Sequence, residues 1–152
     1  MNTIEITLEF AYFRGQSPNK IIQKFGEPLQ LVVRYKNTTS KRLRLLRAYT
    51  PLEGILGNLF TVKNNGKDVK YIGPLCKRIA PTIESFKTVL EPYETIIHVF
   101  ELSEYQFTLG KHTLRLTRGV NFIEDGETDV EKAVYQPCKT KKLTVVFVNE
   151  TN

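Results

Sequence analysis

YTPLEGILGNLFTVKNNGKDVKYIGPLCKR, residues 49–78, holds two strand-like runs on either side of a turn. Leu59-Phe60-Thr61-Val62 and Asp68-Val69-Lys70-Tyr71-Ile72 are rich in β-branched and aromatic residues and flank Asn64-Asn65-Gly66-Lys67. Asn and Gly tolerate the positive φ that a turn matched to strand twist demands, so Asn65-Gly66 predicts a β-hairpin. Gly73-Pro74 then ends the pairing, since glycine frees the backbone and proline fixes φ and removes a donor. Upstream, Thr50-Pro51 and Gly54 frame a second turn. Two stiffened loops bracket one sheet-forming unit, and no catalytic constellation lies inside it.

The flanking sequence repeats the strand signal. Ile4, Ile6, Leu8 and Phe10 alternate with Glu5, Thr7 and Glu9, the period of a strand with one buried face within 4–13. Gly26-Glu27-Pro28 launches a strand over 29–35, and the polar turn at 37–40 leads to another over 43–49, expected to pair with it antiparallel. Residues 20–25 are too short to assign. Beyond the hairpin, 85–90, 95–100, 112–117 and 143–148 read as strands, while 102–107 lacks alternation and reads as a single helical turn. Arg118 to Thr140 is a long loop before the last strand, with acids at Glu124, Asp125, Glu127 and Asp129; a segment of this kind is either mobile or carries a short helix. Regular strands and no sustained helical period predict an all-β fold, an antiparallel immunoglobulin-like β-sandwich, without the Cys-Trp-Cys pattern of antibody domains.

The chain of 152 residues, 41% hydrophobic and 25% charged, fits one globular domain over 1–152. Its net charge of +6 favours an acidic partner, yet the cations are dispersed, densest at Lys139, Lys141 and Lys142 and then at Lys41, Arg42, Arg44 and Arg47. On a strand Arg42 and Arg44 share one face, with Leu43 and Leu45 opposite, which reads first as a solvated sheet face and second as an electrostatic docking surface. No recognition helix, zinc-finger spacing or RNA-binding motif accompanies the charge, so nucleic acid is not the expected partner. No uncharged apolar run approaches the roughly 20 residues of a membrane helix. Acids interrupt the first apolar residues, so the expected location is cytoplasmic as written, or secreted if an export signal has been removed. Asn37-Thr38-Thr39 and Asn149-Glu150-Thr151 match the glycosylation pattern, read here as accidental. Cys76 and Cys138, the only cysteines, are expected to be free thiols.

Sites for chemistry are not legible. Neither His98 nor His112 belongs to a His-Glu-x-x-His helix, and both read as structural or surface residues. Neither cysteine lies in a motif for an activated thiol, and no Gly-x-Ser-x-Gly elbow occurs. The acids of 124–129 do not follow the spacing of a calcium loop and read as solvated. The expectation is a non-enzyme with no catalytic residues, no metal and no cofactor.

Several short motifs, in order, carry a family likeness: TPLEG at 50–54, NLFTV at 58–62, NGK at 65–67, YIGPLCKR at 71–78, Ala80-Pro81, LEPYE at 90–94 and ELSEY at 101–105. From about Leu29 to Leu116 the chain resembles the non-catalytic N-terminal region of the aspzincin metallopeptidases, the deuterolysin and peptidyl-lysine metalloendopeptidase family. The missing zinc helix means that the likeness stops short of the catalytic domain. The resemblance implies a propeptide-like, non-enzymatic module that binds a protein partner, with a metallopeptidase to inhibit or dock onto as one such partner. Pro51, Pro74 and Pro81 would preorganise the loops and lower the ordering cost of association. The expected contact set is Tyr49, Leu52, Glu53, Leu75, Lys77 and Arg78, with Lys77 and Arg78 presenting cations to an acidic cleft. The alternative is a structural sandwich domain that self-assembles within a larger complex through its first and last strands.

Overall fold

The computed structural model describes residues 2–150. Its strands are β1 (Ile4–Phe10), β2 (Lys20–Lys24), β3 (Gln30–Asn37), β4 (Leu43–Leu45), β5 (Phe60–Asn64), β6 (Lys67–Asp68), β7 (Thr88–Leu90), β8 (Thr95–Glu101), β9 (Gly110–Leu116), β10 (Val120–Glu124), β11 (Val134–Gln136) and β12 (Leu143–Val148). They form three sheets, in the orders β1-β3-β8, β11-β10-β4-β7 and β2-β12-β9-β5-β6. Ile4, Leu31, Leu43, Leu90, Leu114 and Val145, drawn from all three sheets, belong to one buried cluster. The fold is an all-β sandwich of antiparallel sheets with one parallel pair, β2 on β12.

The hairpin at Asn65-Gly66 forms. Lys63 pairs with Asp68 and Asn64 with Lys67, and Asn65 and Gly66 take φ of 50° and 80°. The first strand also forms as its alternation predicts: Ile4, Ile6, Leu8 and Phe10 are buried while Glu5, Thr7 and Glu9 face outward. Burying each such side chain contributes roughly 1.5–3 kcal/mol. A slip of one residue would expose all of them, so the hydrophobic set fixes the register with β3.

Three expectations are corrected. The strands on either side of the 37–40 turn do not pair: β3 lies between β1 and β8, and β4 lies between β10 and β7. Asn37 makes this sheet change. Its buried amide donates to the carbonyls of Lys41, Leu90 and Glu91 at 2.7, 3.2 and 3.1 Å, and its Oδ1 accepts from the Thr39 N–H at 2.9 Å. Residues 102–107 are not a helical turn. The Ile72 N–H donates to Glu104 O and the Gln106 N–H to Lys70 O, so the segment runs extended beside the end of the hairpin, with Tyr71 and Tyr105 bridged. The short helical turns are instead 3-10 turns at Pro51–Glu53, Ile83–Ser85 and Val130–Lys132. Finally, 118–140 is no long loop, since β10, a 3-10 turn and β11 fill it.

Gly119 marks the tightest backbone approach in that last region. A Cβ there would lie 1.8 Å from the Gln136 carbonyl oxygen. Gln136 in turn accepts from the N–H groups of Thr3 and Ile4 through its Oε1, at 3.1 and 3.2 Å, and thereby ties β11 to the start of β1.

Candidate functional site

Thr50 builds the loop that carries the expected contact residues. Its Oγ1 donates to Arg47 O at 2.7 Å and accepts from the Leu52 N–H at 3.2 Å, which starts the turn at Pro51–Glu53. Gly54, at φ 94°, ends the turn. Tyr49 precedes it at φ 64°, a left-handed conformation that costs a non-glycine residue about 1 kcal/mol or more. Glu53 holds Tyr49 there: its Oε2 accepts from the Tyr49 N–H at 3.0 Å and from the Arg78 guanidinium. Arg78 therefore ties the segment after the hairpin to the turn before it, and the Glu53 hydrogen bond raises its pKa above the usual arginine value.

Two guanidiniums lie over the Tyr49 ring. The Cζ of Arg78 is 4.9 Å from the ring centroid and that of Arg118 is 4.6 Å away. A cation over an aromatic face gains about 0.5–1 kcal/mol where exposed and more where desolvated. Tyr49 remains partly open to solvent, and the 72–81 segment that carries Arg78 displays apolar side chains: Leu75 is 78% exposed and Ile79 is 92% exposed. Ile72, also exposed, rims a groove of about 340 Å³ whose wall includes Phe25, Leu29, Tyr105 and Phe107. The Cys76 N–H donates to Leu56 O at 3.0 Å and pins this segment to the loop before β5.

The expected contact set divides. Tyr49, Leu75 and Lys77 are exposed as a contact surface requires. Leu52 is buried in the core, because the turn at Pro51–Glu53 points its apolar side inward, and it anchors the loop from below. Glu53 and Arg78 pair with each other, their side chains only 15% and 21% exposed, so Arg78 is an internal tie and not a free cation. Arg118 belongs to the site although nothing in the sequence marked it. It lies on the connection from β9 to β10, which passes from one sheet to another beside Tyr49.

Of the basic tract at 41–47, Lys41, Arg42 and Arg44 are internally compensated, while Arg47 is exposed. Lys41 pairs with Glu124 at 3.0 Å, Arg42 with Glu91 at 2.9 Å and Asp125 at 3.4 Å, and Arg44 with Asp125 at 3.5 Å. The docking surface expected there as a second reading thus faces the acids of 124–125 on the same sheet. Exposed pairs of this kind contribute about 0–1 kcal/mol each, so their main effect is to cancel charge. Glu127 and Asp129 accept from the backbone N–H groups of Thr128 and Glu131 at 3.0 Å each.

His112 is wholly buried between the rings of Phe107 and Phe147, at 5.5 and 5.3 Å. With its proton on Nδ1 it donates to Gly110 O at 3.1 Å, and its Nε2 accepts from the Thr108 N–H at 3.4 Å. His98 stacks against Phe100 at an interplanar angle of 11°. Cys76 and Cys138 are both free thiols, and burial raises the pKa of Cys138.

No protein-family model matches the chain, and no curated protein matches it either. Among solved structures the chain is similar to the solution NMR structure of a CARDB domain from Pyrococcus furiosus, at 12% identity and a TM-score of 0.37, over 99% of this chain and 98% of that one. That likeness carries no functional inference.

Proposed function

We propose that the protein is a non-enzymatic protein-binding module whose contact surface is the loop pair 49–54 and 72–81. The observation that carries this reading is the Tyr49 ring, held in a strained backbone conformation beneath Arg78 and Arg118, with Leu75 and Ile79 exposed on the same segment as Arg78. Strain held by a dedicated ion pair presets a recognition loop and reduces the entropy lost on association. An aromatic ring beside arginine cations and apolar side chains is the composition of an interface hot spot. Lys77 and Arg118 supply positive charge for an acidic cleft, and the likeness of 29–116 to aspzincin N-terminal regions makes a metallopeptidase cleft the first partner to test.

The experiment is a titration of an aspzincin peptidase with the protein, following both binding and inhibition. Lys77→Ala combined with Arg118→Ala is the informative variant, because Arg78 is needed to hold the loop. The expected result is a folded protein destabilised by only about 1 kcal/mol, the cation–π contact of Arg118, with affinity weakened about tenfold or more, since each interfacial cation in a hot spot contributes on the order of 1–2 kcal/mol. Unchanged affinity would remove this surface from the reading. Binding to no peptidase, with capture of another partner lost in the same variant, would keep the surface and discard the peptidase.

A further inference from the structure

The sheet edges of this fold are protected unequally. β6 has two residues, and β7 and β11 have three each, too short to template another strand. On β1 the outward N–H of Ile4 donates to Gln136 Oε1 at 3.2 Å and that of Phe10 to Pro18 O at 2.9 Å, closing both ends of its free side. On β2 the outward N–H of Ile22 donates to Gln16 Oε1 at 2.7 Å. The last strand is no edge at all, because β12 lies between β2 and β9. Among the described residues β8 is the exception: it is seven residues long, has β3 as its one strand partner, and contains no proline or lysine.

The phase of the β3–β8 ladder shows what this edge offers. The Leu102 N–H donates to Leu29 O at one end, and Glu94 O accepts from the Asn37 N–H at the other. Ile96, His98 and Phe100 therefore direct their backbone groups to β3, while Thr95, Ile97, Val99 and Glu101 direct theirs away. Among the described residues these outward groups have no hydrogen-bond partner in another segment. The side chains of Ile97 and Val99 are 60% and 56% exposed on the outer sheet face.

We infer that β8 pairs with β8 of a second copy, antiparallel, with His98 on the two-fold axis. In that register every outward-facing residue meets an outward-facing residue: Ile97 stands opposite Val99 and Thr95 opposite Glu101, each pair occurring twice. The strand is self-complementary because apolar residues occupy both inner positions. Charge fits as well, since Lys36 neighbours Thr95 on β3 and the incoming Glu101 arrives on the other side of Thr95. A foreign strand would need to supply this same pattern; a second copy supplies it by symmetry. The three-stranded sheets of two molecules become one continuous sheet.

Sedimentation equilibrium tests the pairing with Ile97→Lys/Val99→Lys and with Ile97→Glu/Val99→Glu. The wild type is expected to dimerise with concentration, and each double variant to raise the dimer dissociation constant about tenfold or more, because like charges then stand directly opposite in both inner pairs. Mixing the lysine and glutamate variants should restore a one-to-one dimer. Amide hydrogen exchange on the wild type supplies a reading that needs no variant: protection of Ile97 and Val99 should rise with concentration. A wild type that remains monomeric at its highest soluble concentration overturns the inference. So does a dimer that survives the lysine variant, a mixture that does not reassociate, or exchange at Ile97 and Val99 that ignores concentration.

Discussion

Replacing Glu53 by alanine removes two charge-assisted hydrogen bonds at once, from the Tyr49 N–H and from the Arg78 guanidinium. A hydrogen bond to a charged group contributes about 1.5–3 kcal/mol net. The Glu53 and Arg78 side chains are 15% and 21% exposed, so water can replace part of what is lost. Halving the sum gives about 1.5–3 kcal/mol of destabilisation, or a fall in Tm of roughly 3–12 °C for a chain of this size. Glu53→Gln retains an acceptor for the Tyr49 N–H and should cost about half as much. Urea unfolding of Glu53→Ala, Arg78→Ala and the double variant then isolates the pair, with an expected coupling of about 1 kcal/mol or more. If the two single changes simply add, or if Glu53→Ala stays within about 0.5 kcal/mol of wild type, the picture of an ion pair clamping a strained tyrosine is wrong.

Tyr105 makes an alkaline prediction. Burial pushes its hydroxyl up to about 12, against an ordinary value near 10. Between those values the unfolded chain has lost the tyrosine proton while the folded one retains it, so stability should fall as pH rises from about 10, with about 2–3 kcal/mol of the loss from Tyr105 and more from Tyr35, whose hydroxyl burial also pushes up. A denaturation series that shows no fall from pH 10 to 12 would contradict this. Gly119→Ala forces a methyl group into the Gln136 carbonyl, and a loss of about 3 kcal/mol or more is expected, read by thermal unfolding; a wild-type Tm would mean that the backbones there are free to part. A thiol reagent should label Cys76 well before Cys138, as peptide mapping after limited alkylation will show, because the first is exposed and the second is partly buried with its pKa raised. Equal labelling would refute that order.

Most of the fold was legible because its strands carry a local signal. The alternation from Ile4 to Phe10 and the Asn65-Gly66 turn each specify structure within a few residues. What escaped depends on distant partners. Residues 20–24 bury only Ile21 fully and become a strand by lying beside β12, which no local period announces. Leu102 to Phe107 lacks alternation because it pairs with the hairpin end through isolated bonds. In 118–140 the acids masked Val120, Phe122 and Ile123, whose burial is shared between the main core and a smaller cluster with Leu46 and Phe86. The candidate site was half legible for the same reason. Tyr49 and Lys77 could be read from loop composition, but the pairing of Glu53 with Arg78 and the arrival of Arg118 depend on how loops far apart in sequence meet.

Asn37 has a consequence for the choice of production host. Its Asn-Thr-Thr tripeptide is open to oligosaccharide transfer while the nascent chain is still unfolded, yet in the finished protein the same amide nitrogen is enclosed and shared among three carbonyls. A sugar attached there would forbid the strand from changing sheets, so material made in yeast or insect secretion systems should contain a modified fraction that never matures, whereas bacterial cytosol should yield uniform protein.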